Sequence, residues 1–224
     1  MFEERYERNR IFSLSQQEEL ASKKVAVIGC GGLGGYVIEM LARTGVGHIV
    51  CCDGDFFTES NLNRQLLSTE KNMGFSKSRV AGEHISEINS EIRVTMFNEF
   101  LTEANCAEIL EDCDAVVDAL DSVKSKLMLQ KICRDLGLPM IHGAIGGWFG
   151  QVSTILPGKD TLSLIYQEDR EISQEEGNPS FTPAVIAGIQ ASETVKVLLG
   201  YEDILMRKML FIDLLSNEVQ KVEL

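Results

Sequence analysis

Four glycines fall within six residues in Gly29-Cys30-Gly31-Gly32-Leu33-Gly34, directly after the apolar run Val25-Ala26-Val27-Ile28. That junction limits the fold more than any other feature of the chain. A short continuous apolar run that ends in glycine reads as a parallel strand covered on both faces. Glycines at 29, 31, 32 and 34 permit a tight turn and let backbone approach a phosphate, while the helix that follows offers unpaired N–H groups and the positive end of its dipole. Val37 to Ala42 reads as that helix, Gly45-Val46-Gly47 breaks it, and His48 to Cys52 is a second strand delivering Asp53 at its carboxyl end. Strand, glycine loop, helix and strand together make the first half of a Rossmann-like sheet, in which ligands bind at the carboxyl edge of the strands.

The alternation continues along the chain. Helices are predicted over Ser78–Ile88, Ala104–Leu110 and Val123–Leu136, and strands over Ile92–Met96, Ala115–Val117 and from Pro139 onward, giving four or five parallel strands. Beyond Gly146 the pattern changes, because Gln151 to Leu156 alternates polar and apolar residues as an antiparallel strand does. Pro183 opens a small-residue helix over Ala184–Leu199, and Met209–Ile212 with Val219–Val222 reads as a closing hairpin. The expected architecture is α/β: a Rossmann-like, mostly parallel sheet with helices on both faces, plus C-terminal antiparallel strands. At 224 residues, one well-cored domain over 1–224 is expected. It would include an N-terminal arm and helix over 1–22, with Ser15 and Glu18 as a capping box. A long crossover loop is expected over 157–181.

Charge and cysteine content exclude several classes of function. The formal charge of −13 argues against a nucleic-acid binder, which needs clustered Lys and Arg to displace counterions. No apolar run approaches the roughly 20 residues of a membrane span, and the charged start, Met1 to Arg5, has no apolar stretch behind it. A cytoplasmic location is the expectation, and the six scattered cysteines fit reduced thiols there. There is no Cys-x-x-Cys pair, and His48, His84 and His142 lie far apart, so a structural zinc is not expected.

Glycine loops of this kind serve NAD, FAD, S-adenosylmethionine and ATP alike, and Asp53 stands where a carboxylate reaches ribose hydroxyls. The polar residues that follow separate these candidates. Asn61, Arg64, Gln65 and Lys77 lie beyond the second strand, where a dinucleotide enzyme has no standard need of them. Arg64 offers a bidentate fork for phosphoryl oxygens and Lys77 a point charge, which together suit a triphosphate. Asp121 would share the carboxyl edge with the glycine loop. Like charges repel, so its sensible role beside polyphosphate is to hold Mg²⁺, whereas Asp118 reads as a cap for the helix beginning near Ser122.

With these residues in place, the sequence resembles the ThiF/MoeB/HesA family, bacterial relatives of ubiquitin-activating enzymes, along nearly its whole length. The matching elements are Arg5-Tyr6-Glu7-Arg8, Gly29 to Gly34, Gly45-Val46-Gly47, Asp53-Gly54-Asp55, Ser60-Asn61-Leu62-Asn63-Arg64-Gln65, Gly74-Phe75-Ser76-Lys77, Asp118-Ala119-Leu120-Asp121, and the segment from Pro183 to Gly200. The resemblance implies ATP- and Mg²⁺-dependent adenylation of the C-terminal glycine carboxylate of a small ubiquitin-like sulfur carrier ending in Gly-Gly, with release of pyrophosphate. It implies ribose binding by Asp53, phosphate binding by Asn61, Arg64 and Lys77, and magnesium at Asp121. Asp55 would help position metal or phosphate. Arg8 would reach the phosphates of a neighbouring subunit, and the working unit would then be a homodimer.

Two departures narrow the expectation. Where the family commonly carries a Cys-x-x-Cys pair, this chain has Leu162-Ser163-Leu164-Ile165, and the position of the second pair lies past Leu224, so no zinc is expected. The segment from Pro157 to Phe181 contains no cysteine, so adenylation without covalent transfer follows. Three other readings compete. A tRNA threonylcarbamoyladenosine dehydratase-like enzyme sits poorly with the acidic balance, and an NAD-dependent oxidoreductase leaves Arg64, Lys77 and Asp121 unexplained. A non-catalytic homologue has no use for the full charge set.

Overall fold

The computed structural model describes residues 4–166 and 177–224. Strands β1 (Lys24–Ile28), β2 (His48–Cys52), β3 (Arg93–Phe97), β4 (Ala115–Asp118), β5 (Met140–Gly146), β6 (Phe149–Ile155), β7 (Lys208–Asp213) and β8 (Glu218–Glu223) form one eight-stranded sheet. Its order is β3-β2-β1-β4-β5-β6-β7-β8. The first five are parallel, and from β5 onward each neighbour is antiparallel. The expected mixed sheet is present, with five parallel strands.

Pleating sorts the side chains of β1 onto opposite faces, as a period of two requires. Val25 and Val27 join a core with Leu20 of α1 (Leu14–Ser22), Val37, Ile38 and Leu41 of α2 (Gly32–Thr44), Ile85 of α3 (Lys77–Ile88) and Ile186 of α6 (Phe181–Leu198). Ala26 and Ile28 face the other way, against Ile109 of α4 (Cys106–Ile109) and Leu129 and Ile132 of α5 (Val123–Leu136). Burial on both sides is why these strands read as unbroken apolar runs.

The chain builds β1, β2 and β3 outward in one direction and then returns to lay β4 on the free side of β1. Register aligns Ile28 with Cys52 on one flank and with Asp118 on the other. The residues that follow, Gly29, Asp53 and Ala119, therefore emerge side by side. Gly29 has φ +98°, and a Cβ there would meet the Ala119 carbonyl oxygen at 2.6 Å; a Cβ on Gly34 would sit 1.8 Å from the Gly29 carbonyl oxygen. These contacts let the first turn of α2 pack onto the loop.

Local chemistry moves several boundaries from those expected. The first helix is capped by Ser13, whose hydroxyl accepts from the Gln16 N–H while the Gln16 side chain accepts from the Ser13 N–H, so the box lies two residues before Ser15. The helix expected over Ala104–Leu110 shrinks to one turn, because Thr102 and Asn105 bond each other's side chains and backbone before it. The last helix begins at Phe181, two residues before Pro183. Within the expected crossover loop, Thr161–Leu164 forms a 3₁₀ turn, and 167–176 lies outside the described residues. Residues 1–3 of the expected N-terminal arm also lie outside them.

The same substitution should act with opposite sign at two glycines. Gly34→Ala forces backbone apart and should cost about 3 kcal/mol, as severe overpacking does. Gly188→Ala in α6, whose added methyl would meet nothing nearer than Met40 at 3.9 Å, should gain about 0.5–1 kcal/mol from helix propensity. Urea unfolding midpoints of the two variants measure both.

Candidate active site

The row of strand ends opens into a cavity of about 260 Å³ lined by the glycine loop, the ends of β2 and β4, the start of α3 and the Ala144–Gly147 turn region. Asp53 is its most constrained carboxylate. One of its oxygens accepts from the Cys30 N–H at 2.7 Å and the other from the Asp55 N–H at 2.8 Å. Burial raises its pKa, partly opposed by these two N–H groups and by Lys77. Asp53 thus fixes the loop from beneath, keeps acceptor capacity beyond these two bonds and lines the cavity.

Lys77 is the first residue of α3, after the cap Ser76, and its side chain is 9% exposed. Its ammonium donates to Asp55 at 3.1 Å, and its N–H bonds the Asp55 carbonyl at 3.0 Å. Arg64 is half-buried and donates to the Ser60 carbonyl and to Asn63 Oδ1. No carboxylate lies within ion-pair distance of Arg64 among the described residues, so none of them neutralises its charge. Gln65 packs against Gly31, and its buried Oε1 has no partner among the described residues; Asn178 Oδ1, also in the lining, is in the same state. Two unsatisfied buried acceptors beside two cations call for a polar, anionic ligand with donors of its own.

Gly29, Gly31, Gly32, Asp53, Asp55, Arg64, Gln65, Lys77 and Asp121 all line this cavity. Three expected site residues stand outside the lining. Gly34 serves the packing of the loop. Asn61 accepts from the Thr58 N–H, closing a 3₁₀ turn whose last carbonyl receives the Arg64 and Gln65 N–H groups. Arg8 is exposed on the N-terminal arm. Asp121 is exposed at the rim, and no group of three or more candidate metal ligands exists among the described residues. A single carboxylate is nevertheless enough for Mg²⁺, which is usually bound through one or two carboxylates plus phosphate and water.

Asp118 does not cap α5. Ser122 does, its hydroxyl accepting from the Ser125 N–H. Asp118 is wholly buried and receives both Lys126 Nζ, at 3.2 Å to each oxygen, and His142 Nδ1 at 2.7 Å. Lys126 also donates to the Gly143 carbonyl at 2.8 Å, and Tyr166 Oη lies 3.2 Å from His142 Nε2. Burial alone would raise Asp118; Lys126 first and the His142 bond second more than offset it and hold the carboxyl below its usual value. Burial lowers the pKa of His142, so at neutral pH its ring is uncharged, with Nδ1–H donating to Asp118. Lys126 lines the cavity too, and sequence reasoning passed over it. A signal existed: Lys126 stands in the first turn of a helix, where the dipole disfavours a cation unless a carboxylate answers it.

A carboxyl-edge cavity with a glycine loop, a fixed acid after the second strand and converging cations is the arrangement in which Rossmann-type sheets take their ligands. The chain belongs to the ThiF family, whose sequence pattern matches residues 5–224. It is 31% identical to the SAMP-activating enzyme E1 of Haloferax volcanii, over 92% of this chain and 78% of that protein. It is 32% identical to the molybdopterin-synthase adenylyltransferase of Haemophilus influenzae, over 93% of this chain and 88% of that protein. The chain spans about half the length of several other curated relatives it matches. In fold it superposes on E. coli MccB solved with MccA-N7isoASN, with a TM-score of 0.84 at 22% identity, covering 100% of this chain and 72% of that one.

Removing Lys126 tests the buried cluster. Lys126→Met strands the Asp118 charge and should cost about 3–5 kcal/mol near neutral pH. In the parent protein the depressed His142 pKa means that the unfolded state takes up the proton first. Stability should therefore fall as pH drops below about 6.5, by at most about 1.4 kcal/mol per unit from this group. In Lys126→Met the lone carboxylate should raise His142 instead, and the sign reverses: the deficit should shrink at acidic pH and grow as pH rises. Denaturant titrations of both proteins across that range measure the slopes.

Proposed function

We propose that this chain adenylates the C-terminal carboxylate of a small ubiquitin-like carrier protein ending in Gly-Gly, using ATP and releasing pyrophosphate. The observation that carries the reading is the convergence of Arg64, Lys77 and Asp121 on one glycine-floored cavity. Binding without turnover would need the glycine loop and Asp53 alone. The named relatives support the reading, since one activates SAMP and another serves molybdopterin synthase as an adenylyltransferase.

In this scheme the ribose rests on Asp53 and the triphosphate lies along the loop and the α3 end, where Arg64 grips phosphoryl oxygens in its fork. A carrier carboxylate oxygen attacks the α-phosphorus, the α–β bridging bond breaks, and pyrophosphate leaves with the electron pair. Lys77 stabilises charge gathering on the α-phosphoryl oxygens; Asp55, its salt-bridge partner, sets its direction. Mg²⁺ held by Asp121 would neutralise the departing phosphates. The nucleophile is already ionised, so no general base is required, and rate comes from positioning and charge stabilisation. Arg8 is assigned to the phosphates of a second copy in a homodimer, and residues 1–224 to one adenylating unit.

Carrier-dependent exchange of labelled pyrophosphate into ATP measures the reaction. Exchange is expected with at least one carrier ending in Gly-Gly, and its absence with every carrier, alongside tight NAD binding, would refute the assignment. Asp121→Ala should lower exchange at least about 100-fold. Asp121 is exposed, so circular dichroism and melting should stay unchanged.

A further inference from the structure

Adenylation starts from an ionised nucleophile and uses no base, yet the structure holds the parts of one. His142 Nδ1–H donates to Asp118 at 2.7 Å, and Tyr166 Oη lies 3.2 Å from His142 Nε2. The ends of this line settle its directions. Asp118 is ionised, so Nδ1 carries the ring hydrogen and Nε2 is the acceptor. Tyr166 Oη receives the Gln151 amide N–H, which leaves its own hydrogen for Nε2. Burial first and Asp118 second raise the pKa of Tyr166, so that hydrogen is in place at neutral pH. A hydroxyl, an imidazole and the carboxylate that orients it are the groups by which enzymes draw a proton from a nucleophile. Helix α5 supports the line from behind. Lys126 holds Asp118, and one turn on, Gln130 accepts from the Leu162 N–H and donates to Ser163, fixing the 3₁₀ turn that delivers Tyr166.

Tyr166 and Gln151 line an open groove of about 520 Å³ on the antiparallel half of the sheet, which shares Ala144, Ile145 and Gly146 with the carboxyl-edge cavity. Gln151 of β6 is directly opposite Ala144 of β5, a pairing that sets Cα atoms about 5 Å apart. Tyr166 is therefore one hydrogen bond from the wall common to both spaces, and an acyl adenylate made in the cavity would be open to attack from the groove. Charge narrows what can attack. Asp213 and Glu218 line the groove without a cation, which disfavours a thiolate there. An amine beside the same acids would be held as ammonium, its lone pair already taken. A neutral thiol fits, and it must shed a proton as it reacts.

We propose that Tyr166, backed by His142 and Asp118, takes the proton from an uncharged thiol that attacks the acyl adenylate from the groove. The step rests on the adenylation reading, whose product it consumes. The thiol sulfur bonds to the acyl carbon, the bond from that carbon to the AMP oxygen breaks, and AMP leaves with the electron pair. The thiol proton passes to Tyr166 Oη as the phenolic proton passes to His142 Nε2, and the imidazolium is held beside the Asp118 carboxylate. Water later takes the proton back through Tyr166. The groups facing His142 are Asp118 on β4, Lys126 on α5, Gln151 on β6 and Tyr166; burial is the largest influence on its ring and keeps it uncharged, the state a base requires.

Two rates measured on one sample test this: pyrophosphate exchange with a carrier that supports it, and thioester formation when 2-mercaptoethanol is added to the same mixture. Tyr166→Phe removes only the hydroxyl, and Gln151 Nε2, 3.4 Å from His142 Nε2, remains to satisfy the ring. The ratio of thioester formation to exchange should fall on the order of 100-fold. In the parent the ratio should stay level from about pH 6.5 toward the thiol's own pKa and drop at lower pH as His142 takes up a proton. In the variant only free thiolate reacts, so the ratio should climb about tenfold per pH unit over that range. A fall of less than about tenfold, or the same pH slope in both proteins, would overturn the relay and leave adenylation standing. No exchange with any carrier would remove the adenylation reading and the relay together.

Discussion

The common level at which β2, β1 and β4 end is the constraint on which the rest of this structure depends. Parallel register fixes it: Ile28 faces Cys52 and Asp118 at once. Gly29, Asp53 and Ala119 then leave the sheet together, and only a residue without a side chain fits at 29, pressed against the Ala119 carbonyl. Asp53 can reach the Cys30 N–H only because the two strand ends coincide, and that bond shapes the loop. A slip of one residue between β1 and β2 would invert the faces of β2 and carry Asp53 out of reach.

Charge is distributed with the same economy. The chain is strongly acidic, at −13, yet Arg64, Lys77 and Lys126 meet around one cavity. Each cation is treated differently. Lys126 is neutralised by Asp118 and takes no further anion, Lys77 is half-answered by the exposed Asp55, and Arg64 has no acid partner among the described residues. A gradient of this kind suits an anion whose charge is greatest at one end, since the site offers its least compensated cation there while the protein pays little to keep the others ionised.

The parallel half of the fold was legible in the sequence because its strands are short, buried on both faces and punctuated by glycine; β2 and α5 fall on their expected limits. Gly29 and Asp53 were legible for a related reason, since they follow directly on strand ends, whereas Arg64, Gln65 and Lys77 stand well beyond β2 and were legible by residue type. Positions set by side-chain competition were harder. Ser13 and Ser15 both qualify as caps by residue type, and only Gln16 reaching back to Ser13 decides between them. Asp118 looked like a cap because Ser122 lay four residues on, and the contact with His142 comes from β5, 24 residues away, which local pattern cannot register. Lys126 was missed because a helical lysine is ordinarily solvated.

The buried Asp118 cluster sits where the sheet changes from parallel to antiparallel, and that location accounts for its composition. Asp118 ends the last strand before β5, and His142 and Gly143 are in β5 itself, the strand that is parallel to β4 and antiparallel to β6. Gln190 of α6 adds bonds to the Asp118 and Ile141 carbonyls from below. Apolar packing would fill the space, but it is non-directional and would leave the strand ends free to shift. Directional bonds from a lysine, a histidine and an amide instead pin β4 and β5 at the point where the carboxyl-edge cavity meets the antiparallel strands. Because burying an ion pair is costly unless every lone pair is met, the network holds only while all its members are in place. The relative position of the two halves of the sheet is thereby made all or none.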